Sequence, residues 1–218
     1  EHCCTIKSPL DDNEILVDNV IVEKYENEKD LILGWVELIE KTDTDMLIGY
    51  NTNGFDWMYL YTRAKKLNID DTVLSNISRL INKEGKYEIT QLNTNAAGEN
   101  IFKYIKAPGI LNCDLHTIIK REKKLESYKL NFVSSVYISD KKDDLDAMDI
   151  FNKCQDTSQN IAIVIKYCVK DTSLVLDLLK KLCILTNTIA MANVCWVPFD
   201  YIENKGQQIK VHSQLLYE

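Results

Sequence analysis

Two aspartates stand out among the residues able to do chemistry, because of what surrounds each. Asp171 sits inside the apolar run 161–182, and at helical spacings of three and four it meets Tyr167, Cys168, Leu174 and Val175, none of them a cation. Asp177 on the same run has Lys180 and Lys181 at those spacings and reads as an ordinary surface pair. A carboxylate in apolar surroundings is costly to bury unless positive charge arrives from elsewhere, either a distant Lys or Arg or a metal ion. Tyr167, one turn earlier on the same face, could orient a water or a phosphate oxygen beside such an ion. Asp56 follows Gly49-Tyr50-Asn51 and opens a helix-like stretch. It reads either as a first-turn acid favoured by the helix dipole or as an acid aimed into the crevice where α/β proteins bind ligands. Asn51 offers that crevice an amide, and Phe55 offers a flat face on which a base can stack.

These residues must be placed by strands and helices that the pattern also marks. Val20-Ile21-Val22 reads as a short strand, and Leu31, Ile32, Trp35, Leu38 and Ile39 recur at helical spacing over 28–41. Met46-Leu47-Ile48 reads as a buried strand ending at Gly49, followed by a turn and a helix over 55–68. Residues 86–113 are β-rich, with turn signals at 93–98 and at Pro108-Gly109. Helices are expected over 115–125, 130–137, 145–152 and 161–185, the last apolar nearly all round and therefore expected deep in the domain. The order is that of an α/β fold. From Trp196 onward the character changes, with Pro198, Gly206 and Gln207-Gln208, as if another segment begins.

Composition bounds the rest. Among 218 residues, 45% are hydrophobic and 27% charged, values of an ordinary soluble domain. No apolar run approaches the roughly 18 residues of a membrane span. The start, Glu1-His2-Cys3-Cys4, carries neither an initiator Met nor a signal pattern, so a segment of a longer chain is expected. Seven cysteines without a Cys-x-x-Cys pair argue for thiols in a reducing, intracellular setting, with Cys168, Cys183 and Cys195 acting as small hydrophobes. A net charge of −7 argues against broad binding to a polyanion. A carboxylate site loaded with divalent cations is nonetheless electropositive towards phosphate. The densest basic stretches, Lys120-Arg121 to Lys129 and Lys141-Lys142, are open to two readings, a solvated face or a binding patch.

The motifs reach a family resemblance. Gly49-Tyr50-Asn51-Thr52-Asn53-Gly54-Phe55-Asp56-Trp57-Met58-Tyr59-Leu60 resembles the second exonuclease motif of family B DNA polymerases, and Tyr167-Cys168-Val169-Lys170-Asp171-Thr172-Ser173-Leu174 resembles the third, a Tyr-x-x-x-Asp pattern. Between them, Asp114-Leu115 and Leu125-Glu126-Ser127-Tyr128-Lys129-Leu130-Asn131-Phe132-Val133 are similar to the family's intervening segment. Lys205-Gly206-Gln207-Gln208-Ile209-Lys210-Val211-His212-Ser213-Gln214-Leu215-Leu216 is similar to the stretch leading towards the polymerase palm.

The resemblance implies a ribonuclease H-like exonuclease fold, a mixed sheet flanked by helices and truncated at its N-terminus. It assigns 1–190 to the 3′→5′ exonuclease domain and 191–218 to the start of the palm-bound segment. By matching positions, Asp56 and Asp171 would be ligands of two divalent ions, Mg²⁺ or Mn²⁺, and Tyr167 would position the attacking water. Asn51, Phe55, Tyr128 and Leu130 would contact the single-stranded 3′ end of the primer. Lys142, with Lys141 as the alternative, would lie near the scissile phosphate. The implied partners are DNA and the rest of the polymerase chain, with no membrane, in the nucleus or in the cytoplasm of a viral or prokaryotic system. Two departures are visible: no Asp-x-Glu first motif precedes the strand near Val20, and Lys129 stands where the family has Ser or Thr. The expectation is therefore a proofreading segment that is inactive as it stands, or a module that guides single-stranded DNA without cutting it.

Overall fold

The computed structural model describes residues 2–5, 20–94, 98–138, 147–155 and 158–217. The first strand, β1 (His2–Thr5), pairs in parallel with β2 (Ile21–Lys24). Helix α1 (Glu28–Lys41) starts where Asn27 accepts the Asp30 N–H at 2.9 Å. It ends where the Thr42 hydroxyl donates to the Leu38 carbonyl at 2.8 Å. Its apolar stripe buries Ile32, Val36 and Ile39. After β3 (Met46–Gly49) come α2 (Asp56–Lys66) and α3 (Asp70–Asn76). The antiparallel hairpin of β4 (Lys86–Thr94) and β5 (Gly98–Lys106) then leads to β6 (Leu111–Asp114), which returns parallel to β3 with Gly49 opposite Asp114. The remaining elements are helical: α4 (Leu115–Glu122), α5 (Leu130–Tyr137), α6 (Ala147–Gln155), α7 (Ser158–Lys181), α8 (Ile184–Cys195), α9 (Phe199–Asn204) and α10 (Gln208–Tyr217).

The β3–β6 pair separates two apolar cores. Ile32, Val36, Trp57, Val73, Ile77 and Ile105 form one, with Leu47 packed against it. Cys113, Leu115, Ile118, Val133, Val175 and Leu178 form the other, with Met46 and Ile48 packed against it. Alternate residues of β3 thus face opposite cores, as the period of two requires. This is why the strand is apolar without a break.

Several expectations need correction. In place of one mixed sheet, the described residues form three separate two-stranded ladders. The parallel pairs run only four residues before helices take over, and the hairpin leaves Ile89 and Ile101 exposed. The helix expected over 161–185 is two helices. Cys183 adopts a left-handed backbone, φ 49°, which ends α7 and starts α8. Nor is α7 buried all round: Ile163 and Leu176 are exposed. Cys168 and Cys183 are exposed as well, whereas Cys113 and Cys195 are buried. No helix among the described residues is long and apolar enough to cross a membrane.

Candidate active site

Because β3 and β6 are parallel, their C-terminal ends lie side by side, and Asp114 closes that end. Its side chain is 3% exposed. Oδ1 accepts the N–H of Asn51 at 2.8 Å and of His116 at 3.1 Å, and Oδ2 accepts the N–H of Asn53 at 3.1 Å. One carboxylate therefore caps α4 and pins the loop that follows β3. A hydrogen bond to a charged acceptor contributes about 1.5–3 kcal/mol taken singly, and three that share one carboxylate contribute less than their sum. Asn51 holds φ 63°, a left-handed conformation that Asn tolerates better than most residues. A Cβ at Gly54 would collide with the Asn51 side-chain amide, so glycine there lets the amide sit close over the loop.

Asp56 opens α2 from this pinned loop and is exposed at its surface. Partial burial of its carboxyl raises its pKa above the usual carboxylate value; a backbone hydrogen bond opposes this and the Asp114 charge adds to it. Phe55 is 57% exposed and lies nearly parallel to the Tyr59 ring, centroids 5.8 Å apart and planes 11° apart. The pair makes a flat aromatic surface open to solvent. The hairpin is tied to the same loop, since the Lys103 N–H donates to the Asn53 carbonyl at 3.2 Å.

A second loop joins from the far side. The Tyr50 hydroxyl donates to the Tyr128 carbonyl at 2.6 Å. Burial, with the Asp114 charge adding, holds the Tyr50 proton well above the ordinary phenol range. His116 stands edge-on to both rings, 5.5 Å from Tyr50 and 6.3 Å from Tyr128. Burial lowers its pKa, with Asp114 pulling the other way. Tyr128 uses its own hydroxyl to build the turn before α5, donating to the Lys123 carbonyl at 2.8 Å and accepting the Leu125 N–H at 3.3 Å. Leu130 begins α5 and packs on the second core. Both residues stay half-buried at the rim. Lys142 and Lys141 lie outside the described residues.

Helix α7 brings the third group. Tyr167 is buried and Asp171 half-buried, on one inward stripe with Leu174, Val175 and Leu178. Val175 and Leu178 enter the core that also holds Ile48, Tyr50 and Cys113, and α7 packs against β3 and α5. Asp171 therefore stands one helical turn before Val175 of that core, whereas Asp56 stands on α2, which packs against α3 and β5; α2 and α7 share no extended contact among the described residues. Among the described residues, no three His, Cys, Asp or Glu side chains gather closely enough to hold a metal ion. In donor type, the carboxylate oxygens of Asp56 and Asp171 are those a hard divalent cation takes.

Comparison with known proteins decides the family. Residues 3–133 match the model of the DNA polymerase family B exonuclease domain. This chain belongs to that family. The exonuclease segment is 37% identical to a DNA polymerase of Paramecium bursaria Chlorella virus NY2A, over 92% of this chain and 22% of that protein. It is 38% identical to the DNA polymerase delta catalytic subunit of Candida albicans, over 88% of this chain and 18% of that protein. The bovine delta catalytic subunit is 35% identical over 89% of this chain and 18% of its own length. The segment thus spans about a fifth of these relatives. Exonuclease domains of the family are divalent-metal dependent.

The sequence named Asp114 only as part of a family stretch, and it missed Asp114's role as the anchor of the exonuclease loop. A signal was present. An aspartate closing a short apolar strand, with a helical stretch directly after it, is the pattern of a helix cap at a strand end. Nothing in the sequence pointed to the Tyr50–Tyr128 bond, which joins residues 78 positions apart.

Proposed function

We propose that this segment is the 3′→5′ proofreading exonuclease of a family B DNA-directed DNA polymerase that acts in DNA replication, built on a ribonuclease H-like fold. The observation that supports this most is the loop pinned on Asp114, which presents Asn51, Phe55 and Asp56 together at the ends of the parallel strands. Asn51 hydrogen-bonds the frayed 3′ end, and Phe55, backed by Tyr59, stacks a terminal base; such stacking contributes about 1–3 kcal/mol per base. Tyr128 and Leu130 touch the strand from the rim, and Lys142 (or Lys141) neutralises a phosphate near the cut. Tyr167 holds the attacking water by its hydroxyl, one turn from Asp171. Asp56 and Asp171 are the residues that would hold divalent cations, Mg²⁺ or Mn²⁺ and two in a complete site, which when bound make water nucleophilic and neutralise the leaving 3′ oxygen. The substrate is the single-stranded primer end, the partner is the remainder of the polymerase chain, and the setting is a reducing compartment, nuclear or cytoplasmic.

The test is Asp171→Ala in the polymerase chain that carries this segment, assayed with Mg²⁺ on 3′-labelled single-stranded DNA. Shortening of the label is expected to fall by about a hundredfold or more. Full activity in the variant removes Asp171 from the site. An unsubstituted polymerase that binds the strand without ever shortening it makes the segment a non-catalytic DNA-binding module instead.

A further inference from the structure

A second buried carboxyl lies against the anchor. Glu203 is 5% exposed on α9, which packs on β6, and the Cys113 thiol and Asp114 backbone at the end of that strand bear on its titration. Its Oε1 is buried and has no hydrogen-bond partner among the described residues. Asp114, by contrast, has both oxygens engaged by backbone N–H groups. Arg121 of α4 clamps the same turn of α9 through its backbone, donating from Nη1 to the carbonyls of Ile202 at 2.8 Å and Glu203 at 3.2 Å.

The groups facing Glu203 can be named from each neighbouring element. Strand β6 brings Cys113 and Asp114, and α4 brings Arg121. Helix α8, which packs on α9, carries no charged side chain and contributes the buried Cys195. On α10, Lys210 has its pKa lowered by burial and by Arg121. Burial raises Glu203 to about 7; Cys113, Arg121 and the Asp114 backbone pull it back, while the Asp114 charge pushes it further. A neutral carboxyl suits this place. An ionised one sets a second negative charge beside Asp114 and leaves a charged oxygen without a donor, which is costly in a dry interior.

We propose that Glu203 is a positioning residue for the strand-end loop: its neutral carboxyl, seated on Cys113 and Asp114, keeps Asp114 aligned with the Asn51 and Asn53 amides, and its ionisation loosens that loop. In the unfolded chain a Glu gives up its proton near 4.3, whereas the folded chain keeps it until about 7. The contribution of Glu203 is therefore fully present below the unfolded value, falls as pH rises towards about 7, and is lost above it. The consequence for cleavage rests on the exonuclease reading above. The consequence for the loop does not.

The experiment is hydrogen–deuterium exchange of the 50–54 segment in the full polymerase chain between pH 6 and 8.5, as values of about that range bracket the transition. In the unsubstituted protein, protection should fall by about threefold or more beyond the intrinsic rise of exchange with pH. Glu203→Gln, which stays neutral, and Glu203→Met, which guards against a folding defect of the amide, should remove that fall. No fall in the unsubstituted protein, or the same fall in both variants, overturns the proposal. In parallel, 3′→5′ cleavage should lose rate above neutral pH in the unsubstituted protein and keep it in Glu203→Gln. The expected exchange result without cleavage in any form would support the proposal and sink the exonuclease reading.

Discussion

Two loops share one backbone conformation and differ in what holds them. The loop after β3 turns at Asn51 with φ 63°, and the loop between α3 and β4 turns at Asn82, also with φ 63°. The first is pinned from inside by Asp114. The second has backbone bonds from Arg79 to Pro108 at 2.9 Å and from Gly85 to Leu74 at 2.7 Å, but its side-chain anchor lies outside, Arg79 reaching Asp43 at 2.8 Å and also Asp45, both largely exposed. Its tip leaves Ile81 90% exposed. The second loop also borders a groove of about 1290 Å³, lined by Arg79, Lys83, Glu88 and Lys106 among others. Neither a left-handed asparagine nor a large groove marks a site. What separates the loops is a buried acceptor, because donors held in a dry interior cannot trade their partner for water.

Three substitutions test that contrast, and the first should have the largest effect. Asp114→Ala leaves the N–H groups of Asn51, Asn53 and His116 without their acceptor and is expected to cost about 2–4 kcal/mol, measured by chemical denaturation. A cost below half a kilocalorie would mean the inner anchor does no more than the outer one. Gly54→Ala should follow, with a split outcome. Its Cβ meets the tip of the Asn51 side chain and not backbone, so stability should change by about 1 kcal/mol or less. Affinity for single-stranded DNA, read by fluorescence anisotropy, should drop by about three- to tenfold as the amide is displaced. Unchanged affinity would remove Asn51 from the contact surface. Arg79→Ala should come last, at about 0.2–1 kcal/mol and shrinking with added salt, because its partners are solvated. If it rivalled Asp114→Ala, the contrast between the loops would break.

How much was legible varies by element for physical reasons. α1 was read to its observed ends because five apolar residues recur on one face between a capping Asn27 and Thr42. β3 was equally plain. The break between α7 and α8 was not, since apolar residues continue on both sides and the left-handed position is held by Cys183 and not by Gly or Asn. α3 escaped because its seven residues bury only Val73, too few to set up a period. The candidate site was half visible: Asn51, Phe55 and Asp56 lie within six positions of one another, and Asp171 stands out by its apolar surroundings. The anchors Asp114 and Glu203 depend on contacts across more than sixty positions, which no local window contains.

The pairing of β3 with β6 has a topological consequence. Asn51 and Asp114 are 63 positions apart in sequence, yet a single 2.8 Å bond joins them. The chain between, two helices and a hairpin, is an excursion that leaves and returns to one seam. Lengthening such an excursion is cheap, since closure entropy grows only with the logarithm of its length. An insertion between β4 and β5 can therefore leave the seam in place, provided Ile105 keeps its seat in the core and Lys103 its bond to Asn53, which makes that connection the natural place for divergence.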